Sequence, residues 1–151
     1  KNVVFTSSPL ENDMEINGHV YVSLPLQVDA ADGQVFVYID EMDQKGNLRY
    51  ITEGMFRLTH TPLAAVDHAY KTPEINIAFT KNSHRSIIPG KTEVYSFPML
   101  PISYKIKKGN QLIVSIAGSD HTHFDNTEIK PEKLILDIGS NHKAYIQLPV
   151  R

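Results

Sequence analysis

Residues Gly109–Asn126, GNQLIVSIAGSDHTHFDN, carry an alternating strand pattern straight into a polar loop. Successive strand side chains leave opposite faces, so Leu112, Val114 and Ile116 share one side and Ile113, Ser115 and Ala117 the other. The loop that follows gathers Ser119, Asp120, His121, His123, Asp125 and Asn126, which makes it the first place to look for chemistry. Period-two alternation recurs on both sides of this run: Val20, Val22, Leu24, Leu26 and Val28; Val35, Val37 and Ile39; Ile75, Ile77 and Phe79; Ile102, Tyr104 and Ile106; Leu134, Leu136 and Ile138; Ala144, Ile146 and Leu148. Each reads as a half-buried strand.

Turn signals separate these runs. Asn17-Gly18 and Gly46-Asn47 read as hairpin tips, because Gly supplies positive φ and Asn tolerates it. Pro25, Pro98, Pro101 and Pro149 fall in or beside strand patterns and point to edges, bulges or strand ends there. Helical pattern is confined to a short stretch around Pro62–His68, with Thr61 placed to cap it. Nine or ten short strands at roughly ten-residue spacing, with no helices between them, indicate two packed antiparallel sheets. Long loops are expected at 59–73 and 120–133, and loops are where function concentrates.

Composition bounds what these sheets can do. The chain has 151 residues, enough for one core and one domain over residues 1–151. Its 15 basic and 17 acidic residues are interspersed, so no field of one sign is available for nucleic acid or an anionic membrane surface. Cysteine is absent, which removes disulfides, thiolate nucleophiles and Cys-based zinc sites and leaves the compartment open. No apolar run approaches a membrane span, and the start KNVVF lacks both an initiator Met and the architecture of a signal peptide. We read the chain as a segment of a longer protein or a processed product.

Candidate chemistry is sparse. A nucleophile elbow needs GxSxG on a strand-to-helix turn, and Gly118-Ser119-Asp120 and Gly139-Ser140-Asn141 each lack the second Gly and the helix. No catalytic residue is assigned. On an extended segment His121 and His123 would share a face, and Asp120 or Asp125 could complete a zinc shell; the structural alternative is a loop in which Asp120 caps a turn. Asp29, Asp32, Asp40, Glu41 and Asp43 cluster around two turns and offer hard oxygen ligands for a structural calcium, without EF-hand spacing. No other cofactor is expected. The seven tyrosines sit mostly in strand patterns, and the absence of Trp weighs against a sugar-stacking platform. Lys105, Lys107 and Lys108 read as the charges of an edge strand.

Taken in order, several segments resemble one family. Phe5–Leu10 (FTSSPL), Asp13–Gly18 (DMEING), the strand His19–Val28, Ile39–Asp43 with Gly46, and Thr52–Arg57 (TEGMFR) are similar to the C-terminal domain of the X-Pro dipeptidyl-peptidase and cocaine esterase hydrolases. Tyr104–Gly109, Leu112–Ile116, Ser119-Asp120, Phe124–Asn126 and the closing Ile146–Val150 continue the likeness. The resemblance implies a jelly-roll β-sandwich of the galactose-binding-like kind. It also implies a role as a non-catalytic accessory domain that packs on an α/β-hydrolase domain of the same protein and supports its stability, its substrate pocket or self-association into a homo-oligomer. Asn110-Gln111 and His121-Thr122-His123 depart from the family's pattern, so the loop of Asp120, His121, His123 and Asp125 is expected only to touch a ligand or the neighbouring domain. The alternative is a free-standing β-sandwich that binds a carbohydrate or another small ligand.

Overall fold

A computed structural model describes residues 2–60, 81–124, 131–139 and 143–151. These form eight strands: β1 (Asn2–Thr6), β2 (Met14–Val28), β3 (Gln34–Met42), β4 (Leu48–Arg57), β5 (Glu93–Ile106), β6 (Gln111–Ala117), β7 (Leu134–Leu136) and β8 (Tyr145–Gln147). One sheet runs β1-β6-β3-β4; the other runs β5-β2, with β7 and β8 both pairing the far side of β2. All these pairings are antiparallel. The result is the expected all-β sandwich. Among the described residues there is no α-helix, and the single helical element is a 3-10 turn at Lys81–Ser83. The helix expected at 62–68 and the strand at 75–79 lie outside the described residues.

The alternation read in the sequence becomes the core. Val20, Val22, Leu24, Leu26 and Val28 of β2 face Val35, Val37 and Ile39 of β3, all at most 3% exposed. Phe56 stacks on Phe97 across the sheets, centroids 5.3 Å apart. Burying side chains of this size contributes roughly 1.5–3 kcal/mol each before chain entropy is charged against it.

The two long seams of the sandwich differ. Where β4 meets β5 the sheets close tightly. Thr52 Oγ1 donates to the Leu100 carbonyl at 3.0 Å, and Gly54 is packed so closely that a Cβ there would lie 2.9 Å from Met99 Cγ and 3.3 Å from Met99 Cα. At the opposite seam β1 pairs, among the described residues, with β6 and no other strand, and a cavity of about 250 Å³ opens between β1–β6 and β7–β8.

Two expectations are corrected. Asn17-Gly18 is not a hairpin tip: it lies inside β2, paired with Ser103 and Ile102, and Gly18 absorbs a φ of 124° within the strand. Gly46-Asn47 does turn the β3–β4 hairpin, where the Asp43 carboxylate accepts the Lys45 and Asn47 N–H groups. Pro25 is the second correction: it lies inside β2, which is paired on both sides, and is tolerated because its missing N–H falls in the gap between the β8 pairing at 21–23 and the β7 pairing at 26–28, where its carbonyl accepts the Asp137 N–H. Pro98 and Pro101 sit on β5, an edge strand, astride the irregularity in its pairing with β2 between His19 and Tyr21. Lys105 and Lys107 of that edge reach across to Glu15 and Asp13.

Candidate functional site

β6 ends at Ala117, and the chain folds over the outer face of its own sheet. Gly118 to Phe124 form a compact turn in which the Phe124 N–H donates to the Asp120 carbonyl. The turn is organised by one carboxylate. Asp120 Oδ1 accepts the backbone N–H of Thr122 at 2.9 Å and of His123 at 3.3 Å; Oδ2 accepts the Tyr38 hydroxyl at 2.6 Å and pairs with His123 Nδ1 at 2.9 Å. Asp120 therefore caps its own turn and ties it to the middle of β3. Phe124 completes the attachment by packing on Phe36, centroids 5.0 Å apart, which accounts for the burial of Phe36 on the outer face of β3.

The electrostatics follow from these bonds. Donors from Tyr38, His123 and the Thr122 backbone hold the Asp120 carboxyl far below the usual carboxylate range. Burial, together with the Asp120 charge, holds the Tyr38 phenol well above its ordinary value. The Asp120 side chain is 15% exposed and that of His123 70%, so the carboxylate acts as an anchor while the imidazole faces solvent.

Beside the turn lies a cleft of about 420 Å³, walled by Phe36, Met55, Pro98, Met99, Leu100, Pro101 and Phe124, with His19, Tyr38 and Glu53 as its polar side chains. His19 Nδ1 lies 3.0 Å from the Met99 carbonyl and donates to it, which fixes the ring on β2. Glu53 stands opposite Tyr38 in the β3–β4 register. An apolar cleft with a few convergent polar groups has the character of a small-ligand or side-chain pocket.

Of the loop residues singled out in the sequence, the structure brings Asp120 and His123 together. His121 is exposed in the same turn, and Asp125 lies outside the described residues. The turn replaces the extended geometry that a two-histidine metal face requires. Among the described residues no three of His, Asp and Glu converge as a metal group. The acidic neighbourhood of 29–43 is also divided among separate tasks. Asp32 pairs with Arg57 at 2.5 Å, Asp43 caps the hairpin, and Asp29 accepts the Lys133 N–H. Glu41 accepts from Tyr104 at 2.6 Å and Asn110 at 2.6 Å. Desolvation raises the Glu41 carboxyl pKa, and the Asn110 and Tyr104 bonds outweigh it, leaving a net lowering.

The sequence shows Tyr38 only as one tyrosine within a strand pattern and gives no sign of the cleft. Its walls come from β2, β3, β4 and β5, brought together only by sheet packing. An Asp–His contact is one link of an acid–base relay, but among the described residues no Ser or Thr hydroxyl is hydrogen-bonded to His123. The site is built to hold a loop and to present a surface.

The comparisons agree with that character. Residues 1–137 match the family profile of the X-Pro dipeptidyl-peptidase C-terminal non-catalytic domain. The chain belongs to this family. A Mycobacterium bovis protein whose name assigns it to the serine esterases is 34% identical over 150 residues, covering 99% of this chain and 24% of that protein. This chain thus spans about a quarter of the length of the curated relatives it matches. Among solved structures, a CocE/NonD family hydrolase from Staphylococcus aureus superposes with a TM-score of 0.73 at 18% identity, over 99% of this chain and 30% of that one. An α-amino acid ester hydrolase superposes with a TM-score of 0.73 at 14% identity, over 99% of this chain and 25% of its own. These two likenesses establish the fold. No helix among the described residues is long and apolar enough to cross a membrane.

Proposed function

We propose that this non-catalytic domain serves a larger serine hydrolase, acting on esters or X-Pro peptides, by packing on its α/β-hydrolase domain. The observation that carries the reading is the match of residues 1–137 to the non-catalytic domain family, on a chain one quarter as long as its relatives. The place of the candidate site supports it. Asn2, where β1 begins, pairs with Ala117, the residue before the Asp120 turn. A catalytic domain that precedes β1 in the same polypeptide would therefore meet the Asp120 turn, at the margin of the candidate site.

The test compares the parent hydrolase with and without this domain, on p-nitrophenyl esters and Xaa-Pro-anilides. The expected result is that removal lowers both activity and thermal midpoint. A truncated parent with undiminished turnover and an unchanged midpoint would refute the reading. The cleft favours a second reading, a free-standing module for a small polar or sugar ligand. Calorimetry against a glycan panel would support it if saturable heats were lost on Tyr38→Ala.

A further inference from the structure

The two seams of the sandwich are finished differently, and the difference points to a partner. At the β4–β5 seam Gly54 and Thr52 draw the sheets into contact. At the other seam every residue of β1 is exposed, and among the described residues no strand pairs its outer edge. β1 reads Asn-Val-Val-Phe-Thr, with no charge, proline or bulge. A bare apolar edge of that kind is the form natural sheets avoid, because its free N–H and C=O groups template pairing with another chain. The adjoining cavity has apolar walls from both sheets, including Phe5, Val114, Leu136 and Ile146. Around it Val3 is 48%, Phe5 41%, Ile138 62% and Tyr145 50% exposed. An apolar cavity rimmed by exposed apolar side chains is the form an interaction surface takes.

We propose that this open seam, and not the cleft face, is the principal surface on which the hydrolase portion of the same polypeptide docks. The inference rests on the accessory-domain reading and adds the face. The occupant follows from chain length and connectivity. About three quarters of a relative lies outside this domain, and a C-terminal domain receives that length through its first strand, which is β1. A tethered partner acts at an effective concentration on the order of millimolar, well above what a second copy reaches at ordinary protein concentrations. The apolar seam buries against the hydrolase portion, and the β1 edge is covered. The Asp120 turn, adjacent to the start of β1, lies at the margin of the same contact.

The experiment uses the full-length parent. Single substitutions Val3→Cys and Ile138→Cys report on the seam, and Leu48→Cys and Leu100→Cys report on exposed positions elsewhere; this domain contributes no cysteine of its own. Maleimide labelling is located by mass spectrometry, with circular dichroism confirming the fold of each variant. Thiols at 3 and 138 are expected to label at least about tenfold more slowly than those at 48 and 100, because reagent reaches them only through domain opening. The protection should persist on dilution to nanomolar protein. Free labelling at 3 and 138 with protection at 48 or 100 would overturn the choice of face and leave the accessory-domain reading standing. Free labelling at all four positions would remove both. Protection that disappears on dilution, in step with dissociation of a dimer, would assign the seam to a second copy and overturn the proposal.

Discussion

Substituting Gly54 by Ala is expected to destabilise the sandwich, against the usual tendency of Gly→Ala in a strand. Gly54 does not have positive φ, so its backbone accepts Ala, and loss of unfolded-state entropy alone would stabilise by about 0.4–1 kcal/mol. The added Cβ, however, would lie 2.9 Å from Met99 Cγ, 3.2 Å from Phe97 Cε2 and 3.3 Å from Met99 Cα. The Met99 side chain can shift, but its Cα cannot move without displacing β5. Overpacking of this kind costs about 1–3 kcal/mol, so the net effect is a loss of roughly 1–2 kcal/mol. For a chain of this size that lowers the thermal midpoint by roughly 2–8 °C. Urea denaturation followed by far-UV circular dichroism should show a lower midpoint with an unchanged m-value. Gly118→Ala is the internal control. It too lacks positive φ, and its Cβ would meet Leu134 Cβ at an ordinary 3.6 Å, so it should be neutral or stabilising by up to about 1 kcal/mol. A Gly54→Ala protein as stable as wild type would refute the close approach of β4 to β5.

Asp120→Asn should release the turn from Tyr38 and destabilise the protein at neutral pH. The folded carboxyl pKa is depressed, so its contribution is complete above the unfolded value near about 3.9 and is lost as pH falls through the folded value. The difference in midpoint between wild type and variant should shrink steadily below about pH 4, whereas a difference independent of pH would contradict the assignment. Glu41→Gln should cost roughly 1.5–3 kcal/mol, because bonds to a buried charged acceptor are lost and an amide is set against the donors of Tyr104 and Asn110. Equilibrium urea unfolding measures it, and a loss below about 0.5 kcal/mol would make the network incidental.

The strands that could be read in the sequence were those with one clean apolar face. Val20–Val28 and Val35–Ile39 form the centre of the core because both lie in the middle of their sheets. β4 was not identified by its periodicity, since its inward position at Gly54 carries no side chain where the opposite sheet presses closest. β1 was not identified because five residues offer only two positions on its apolar face, Val3 and Phe5, and Val4 between them breaks the polar alternation. The first half of β5 was obscured by Pro98 and Pro101, whose tolerance depends on an edge position that a linear pattern does not display.

At the site, Asp120 could be read as a turn cap from the chain alone, because the bonds to Thr122 and His123 are local. Its tie to Tyr38 spans 82 positions and follows from sheet order rather than from spacing. The same holds for Asn110 and Gln111. As sequence they were departures from the family's pattern; in the fold they bind Glu41 and the Ser7 carbonyl, joining the β6 start to β3 and to the chain after β1.

The most direct measurement is hydrolysis of p-nitrophenyl esters and Xaa-Pro-anilides by the 151-residue chain on its own, beside the full-length parent. We expect turnover by the parent and none above buffer by the chain, whether wild type or Ser119→Ala. Turnover by the isolated chain that disappears on Ser119→Ala would contradict the assignment of this domain as non-catalytic.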